Sequence, residues 1–252
     1  MNEAVLHRAL TVAVLVLGGL TFVGLHFIVA PYGRHYTGGW GPTLRTRTAW
    51  ILMESPAVLL FGSIFALGQH RTEWVPLALL GLWMLHYVHR TFIYPFQLKA
   101  DRKRTPWLIV SLALIFNTLN AYVNARWISH LGTYSNAWLL DPRFVLGALL
   151  FLLGKWVNIT SDTTLLRLRA RGEGGYQIPQ GGLYRLVSCP NYLGEIMEWV
   201  GWAIATWSLA GVSFALYTAA NLVPRALSHH RWYRETFADY PSQRRALIPF
   251  WL

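Results

Sequence analysis

Residues 5–29 are almost uniformly apolar, and runs of similar character recur at 48–68, 74–96, 106–128, 142–165 and 192–222. A hydrocarbon core ~30 Å thick is crossed by ~20 apolar residues of α-helix, and an open strand or bare loop cannot replace that helix because its backbone would go unpaired. The runs therefore restrict the chain to an all-α bundle of membrane-spanning helices, with no strand expected. Composition agrees: 54% of residues are hydrophobic and only 13% charged, about half the ~25% of a soluble domain. One integral, multi-pass membrane domain over 1–252 is expected, with no room for a separate soluble module. The first run exceeds the roughly 7–15 apolar residues of a signal peptide and lacks a basic start and a small-residue cleavage site. It reads as the first spanning helix.

The run 192–222 is too long for one crossing at ~1.5 Å per residue. With Gly211 in its middle, it divides into helix six (about 193–209) and helix seven (about 212–230). Asn221, Pro224 and Arg225 interrupt the latter, and the basic, aromatic tail 231–252 is expected on the membrane surface. Seven helices gather most Lys and Arg on one side, in loop 31–47, loop 97–105, the loop after 165 and the tail. The other side keeps Arg8, Arg71, Arg126 and Arg143. The positive-inside rule then sets the N-terminus outside and the C-terminus in the cytosol. Read as one helix, 192–222 would move the tail across and erase most of that asymmetry. The net charge of +11 is accordingly loop charge and not a nucleic-acid footprint. Cys189 is the single cysteine, which excludes an intramolecular disulfide and a Cys-based metal site. His86 and His89 lack a third nearby ligand, so no metal is expected.

Polar groups inside apolar runs are expensive and default to function. Three clusters stand out: Glu54 with Tyr87; Asn158 with Asp162 and the arginines after it; and Asn191 with Glu195, Arg225, His229 and Tyr233. Glu54, beside Pro56, reads either as a headgroup carboxylate or as a buried acid. Tyr87 shares a helix face with Tyr94, seven residues on, with Arg90 between them and in need of an anionic partner. Asn117, Asn120 and Asn124 also share a face. Asn158 and Asp162 lie one turn apart, ahead of Arg167, Arg169 and Arg171. Asn191 and Glu195 enter helix six, and Arg225, His229 and Tyr233 leave helix seven. The last two groups border basic loops near the cytosolic helix ends. Arg suits phosphates, Asn and Asp suit ribose or amide groups, and a helix N-terminus favours anions. Glu54 and Tyr87 together offer two donors to a substrate carbonyl in an apolar cavity suited to a lipid or steroid. No G-x-G-x-x-G follows a strand, so any nucleotide would be held without a Rossmann fold. Residue chemistry alone leaves open a membrane enzyme or a carrier.

The segments YQIPQGGLYRLVSCPNYLGEIMEWVGWAIATWSLAG, HYVHRTFIYPF, NITSD and RALSHHRWYRETFADYPSQRRALIPF go further. Together they resemble the steroid 5α-reductase family (3-oxo-5α-steroid 4-dehydrogenases), as a bacterial-type homologue, over roughly residues 50–252. The resemblance implies a seven-helix reductase that uses NADPH to saturate the Δ4 bond of 3-oxo steroids. It implies Glu54 and Tyr87 at the 3-keto oxygen, hydride delivered to C5, and protonation at C4. The substrate side would be mainly helices one to four and the cofactor side mainly 155–252. On the cofactor it implies Tyr94, Asn158, Asp162, Arg169, Tyr176, Asn191, Glu195, Arg225, His229 and Tyr233. Met53 stands where animal members carry Gln, and Gln177 where they carry Arg, which leaves phosphate contacts to Arg169 or Arg171. A steroid-like apolar enone and membrane lipid are the expected partners, with no obligate protein partner. The membrane would be the inner or plasma membrane in a bacterium and the endoplasmic reticulum in a eukaryote. The C-terminal pattern is shared more loosely with Δ14- and Δ7-sterol reductases and with S-adenosylmethionine-dependent membrane methyltransferases. Enoyl-thioester reductases of fatty-acid elongation share the chemistry, and a lipid carrier would share the cavity.

Overall fold

A computed structural model describes residues 2–28, 38–98, 103–171 and 175–252, with the backbone alone at 170 and 171. Pro31 and Gly33 of the first loop, Lys99 and Arg102 of the basic loop, and the Arg171 side chain lie outside the described residues.

Helix α1 runs Glu3–Phe27 and is capped by the Asn2 side chain, which accepts from the Ala4 N–H at 3.0 Å. α2 spans Thr46–Ala66 and continues through Pro56. Proline lacks an N–H and strands the carbonyl four residues earlier. Here that carbonyl is Leu52 O, and the Ser55 hydroxyl donates to it at 3.0 Å. α3 covers Trp74–Val88, passes through a π-helical turn at His89–Ile93 and resumes as α4, Tyr94–Gln97. α5 spans Trp107–Arg126 and ends in a second π turn, Trp127–Leu131. α6 covers Pro142–Arg171, several residues beyond the apolar run. Its start is fixed by Asp141, whose Oδ1 accepts from the Arg143 N–H at 2.9 Å. The Arg143 guanidinium hydrogen-bonds the same carboxyl and holds it down to about 2. α7 is Pro190–Thr206 and α8 is Leu209–Thr236.

The long apolar run is thus two helices, as its length required. The break falls at Trp207, whose left-handed backbone (φ 44°, ψ 47°) ends α7, rather than at Gly211. α8 continues unbroken through Pro224. One strand pair departs from the all-helical expectation. β1 (Thr43–Arg45) and β2 (Arg104–Pro106) pair antiparallel immediately before α2 and α5 and set those helices side by side.

Among the described residues, four helices are long and apolar enough to cross a membrane: Glu3–Phe27, Thr46–Ala66, Trp107–Leu131 and Pro142–Arg169. α2 and α5 run parallel, since Asn117 bonds Met53 and Arg126 bonds Leu67 further along both. α6 and α7 run antiparallel and touch backbone to backbone. A Cβ on Gly147 would lie 2.5 Å from Ala205 N, and one on Gly154 2.5 Å from Gly194 O. Gly194 and Gly201 meet α6 as closely. Small residues seven apart on both helices permit this approach. α1 packs on α8. Its N-terminal turn is tied to the far end of α5 by the Glu3–Arg126 ion pair and by His7, which meets Val123 O at 2.8 Å. The core centres on Trp83. It donates to Ala57 O at 2.8 Å, stacks on Phe61, and touches Trp199, Trp202 and Phe214.

Candidate active site

One cavity of about 780 Å³ runs through the bundle. Its apolar end is walled by Leu17 of α1, Leu112 and Phe116 of α5, Trp199 of α7 and Phe214 of α8. Its polar end carries Lys103, Arg104, Arg169, Arg225 and His229.

Every site residue expected from the sequence lines this cavity except Asn158. Glu54 and Tyr87 face it from α2 and α3. Asn117 of α5 donates to Met53 O at 2.6 Å and reaches Glu54 Oε2 at 3.5 Å, so the acid is oriented from a neighbouring helix. Glu54 therefore sits on the bundle interior, and the headgroup reading of that residue falls away. The Tyr87 phenol is held by packing alone. Its ring is 4.8 Å from Trp83, 5.5 Å from Trp199 and 4.9 Å from His86. Its hydroxyl makes no hydrogen bond to any described residue, Glu54 included, which leaves it available to a ligand in the cavity.

Arg90 has the partners the sequence demanded. Its guanidinium lies 3.5 Å from Asp162 and 3.6 Å from Glu195. It also lies 4.6 Å over the Trp50 ring and 5.0 Å over Tyr94. Asp162 accepts in turn from Asn191 Nδ2 at 3.0 Å. Asn158 stands one layer back. Its Nδ2 donates to Asn191 O at 3.0 Å, and its Oδ1 is buried without a partner among the described residues. It thus braces the start of α7.

At the polar end Arg225 donates to the Tyr192 hydroxyl, which also meets His229 Nε2; both distances are 3.1 Å. Tyr176 sits edge-on to Trp232 at 5.2 Å, beside Lys103. Tyr233 stacks on Tyr240 at 5.3 Å.

Sequence reasoning missed four contributors. Tyr192 sat in a quoted motif without a role. Lys103 stood in a loop whose charges were left unassigned. Lys155 is a lone ammonium within an apolar run, a signal that was there to be read. Glu198 is an acid within an apolar run whose partner is out of view in the sequence, because that partner lies 112 residues away in α3 (His86). No group of three His, Cys, Asp or Glu suited to a metal occurs among the described residues.

The donor set suits a large anionic ligand. Cations crowd one end, while carboxylates and an amide stand deeper, where ribose hydroxyls or a carboxamide would be met. The tyrosine and the acid lie at the other end.

Comparison with known proteins adds to this geometry. A family model described as 3-oxo-5-alpha-steroid 4-dehydrogenase matches residues 103–252. A protein named steroid 5-alpha-reductase from Gossypium hirsutum is 48% identical over 235 residues, 91% of either chain. One from Arabidopsis thaliana is 47% identical over 240 residues, 92% of either chain. The 3-oxo-5-alpha-steroid 4-dehydrogenase 1 of Bos taurus is 39% identical over 254 residues, 99% of this chain and 98% of its own.

Proposed function

The chain belongs to the 3-oxo-5-alpha-steroid 4-dehydrogenase family, and from that premise we propose that it reduces the Δ4 double bond of a 3-oxo-Δ4-steroid to the 5α product with NADPH. The observation that carries this reading is the single cavity joining Glu54 and Tyr87 to the Arg, Asn and Asp end. Bound NADPH would supply the hydride that saturates C5. Lys103, Arg169 and Arg225 would hold its phosphates. Asp162, Asn191 and Glu195 would accept from or donate to its ribose and amide groups, with Tyr94, Tyr176, His229 and Tyr233 enclosing it and Asn158 bracing α7 behind.

The chain's own part in the chemistry falls to two groups. Negative charge gathers on the 3-keto oxygen as C5 becomes saturated. The Tyr87 O–H and a protonated Glu54 donate hydrogen bonds to that oxygen. Such preplaced donors are worth ~3–4 kcal/mol each in a water-poor site. The enolate then takes a proton at C4 from solvent and the ketone is restored. Trp199, Phe214 and Phe116 would keep bulk water from the face that takes the hydride.

The bundle is read as seven crossings in one domain, N-terminus outside and C-terminus cytosolic. Substrate is taken mainly on α1 to α5 and cofactor mainly on 155–252. The alternation of helix directions supports this. The N-terminal turn of α1, the far ends of α2, α5 and α7, and the starts of α6 and α8 meet at one level. Arg126 bonds Glu3 and Leu67, while Trp138 and Tyr134 bond Ala205 and Thr206.

The test follows NADPH absorbance in detergent with progesterone or testosterone. Steroid-dependent oxidation to the 5α-dihydro product is expected. Tyr87→Phe should cut the rate at saturating substrate ~100-fold or more while NADPH still binds. NADPH binding without steroid turnover would redirect the reading to enoyl-thioester or other enone lipids. S-adenosylmethionine binding in place of NADPH would overturn it.

A further inference from the structure

Behind Tyr87, away from the cofactor end, lies a charged cluster that the proposed reaction does not use. Glu198 of α7 is wholly buried. Its Oε2 is hydrogen-bonded to His86 Nδ1 of α3 at 2.6 Å and lies 3.8 Å from Lys155 Nζ of α6. Lys155 also reaches His86 Nδ1 at 3.4 Å. The other carboxyl oxygen, Oε1, is buried with no partner among the described residues. A cluster like this is a poor way to stabilise a bundle, because desolvation offsets most of the attraction and well-packed apolar side chains do as well. What it supplies is direction: each group can sit in one place only.

The direction it fixes concerns Tyr87. The phenol has no hydrogen bond to any described residue, so its place is set by the rings around it. His86 packs edge-on against both Tyr87 (4.9 Å) and Trp199 (4.7 Å), and Trp199 leans on Tyr87 at 5.5 Å. Three rings form a triangle, and the imidazole is the member held by a short hydrogen bond. The cluster also repeats one to two turns along. His86 and Arg90 are four apart on α3 and its π turn, Glu198 and Glu195 three apart on α7, and Lys155 and Asp162 seven apart on α6. Each pair shares a helix face. The Arg90–Asp162–Glu195 group is thus a second rung between the same three helices, and it faces the cavity.

We propose that the Lys155–Glu198–His86 cluster is a positioning network for Tyr87. It registers the phenol-bearing turn of α3 against the α6–α7 pair, and so sets the distance between the carbonyl-polarising hydroxyl and the hydride donor. This rests on the role given to Tyr87 above. It extends the working site to three residues that do not touch the substrate.

The experiment is a double-mutant cycle with NADPH and progesterone. His86→Asn keeps a donor near the Nδ1 position but removes the ring. Alone it should lower kcat ~10- to 100-fold, the scale of a misplacement of about 1 Å, with the KM for NADPH changed less than threefold. In the Tyr87→Phe background the same substitution should change the rate less than twofold, because the hydroxyl it positions is gone. Rate losses that multiply instead would overturn the network while leaving Tyr87's role standing. An unchanged rate in Tyr87→Phe alone would overturn both. Should His86→Asn not fold, the charge-neutral pair Lys155→Met/Glu198→Gln is read in the same cycle with the same two outcomes.

Discussion

Arg90 is the residue on which the two ends of the cavity meet. It is bound by two carboxylates and two aromatic faces, and it neutralises only one of those carboxylates. Removing one partner from a buried ionic group costs ~3–5 kcal/mol, far more than the intact group contributes. Arg90→Gln should therefore lower the unfolding midpoint in detergent and weaken NADPH at least tenfold, since Asp162 and Glu195 repel once the guanidinium is gone. A titration of NADPH fluorescence and a thermal melt check both, and a normal melt with normal affinity would remove Arg90 from the site. The residue shows where reading the sequence reached and where it stopped. That Arg90 needed an anion followed from burial alone. Which anion did not, because Asp162 is 72 positions away and only the fold brings it near. The pairing of Lys155 with Glu198 and His86 is hidden for the same reason, whereas Asn191 and Asp162 are legible because each sits in a local motif.

Among the helices, α6 and α7 form the tightest pair, and their contact is a matter of glycine spacing. A methyl group at Gly194 would stand 2.5 Å from the backbone N of Asn158 and 2.6 Å from Gly154 O, with no flexible atom to yield. Gly194→Ala should force the helices apart and cost ~1–3 kcal/mol or more, shifting Asn158 and Asn191 with them. Gly81→Ala on α3 meets nothing within 4 Å and should be neutral or stabilising by up to ~1 kcal/mol. Paired thermal melts compare the two, and equal melts would mean the α6–α7 contact is not close. Element existence was legible from the apolar runs. The ends were not: α6 runs past its apolar stretch because its last turns lie among polar groups, and α7 stops at Trp207 because its backbone turns left-handed there. The small strand pair was invisible, being three residues on each side with no alternation to read.

For the molecule as a whole, the seven-crossing reading separates two faces. In a Cys189→Ala background, single cysteines at Ser135 and Ser242 should be labelled by a membrane-impermeant maleimide from opposite sides. Labelling of both from one side would overturn the topology and return α7 and α8 to a single crossing or a re-entrant pair. The same architecture carries a consequence for how the protein is made. On the seven-crossing reading, His86 and Arg90 would enter the bilayer with α3 and its π turn, while the groups that satisfy them arrive on α6 and α7, up to 112 residues later in synthesis. Until then that segment would hold a bare cation in hydrocarbon, a state that costs at least ~2.5 kcal/mol. Its insertion would be provisional until the ribosome delivers α7. A nascent chain stalled before Glu195 is the form a quality-control protease should recognise.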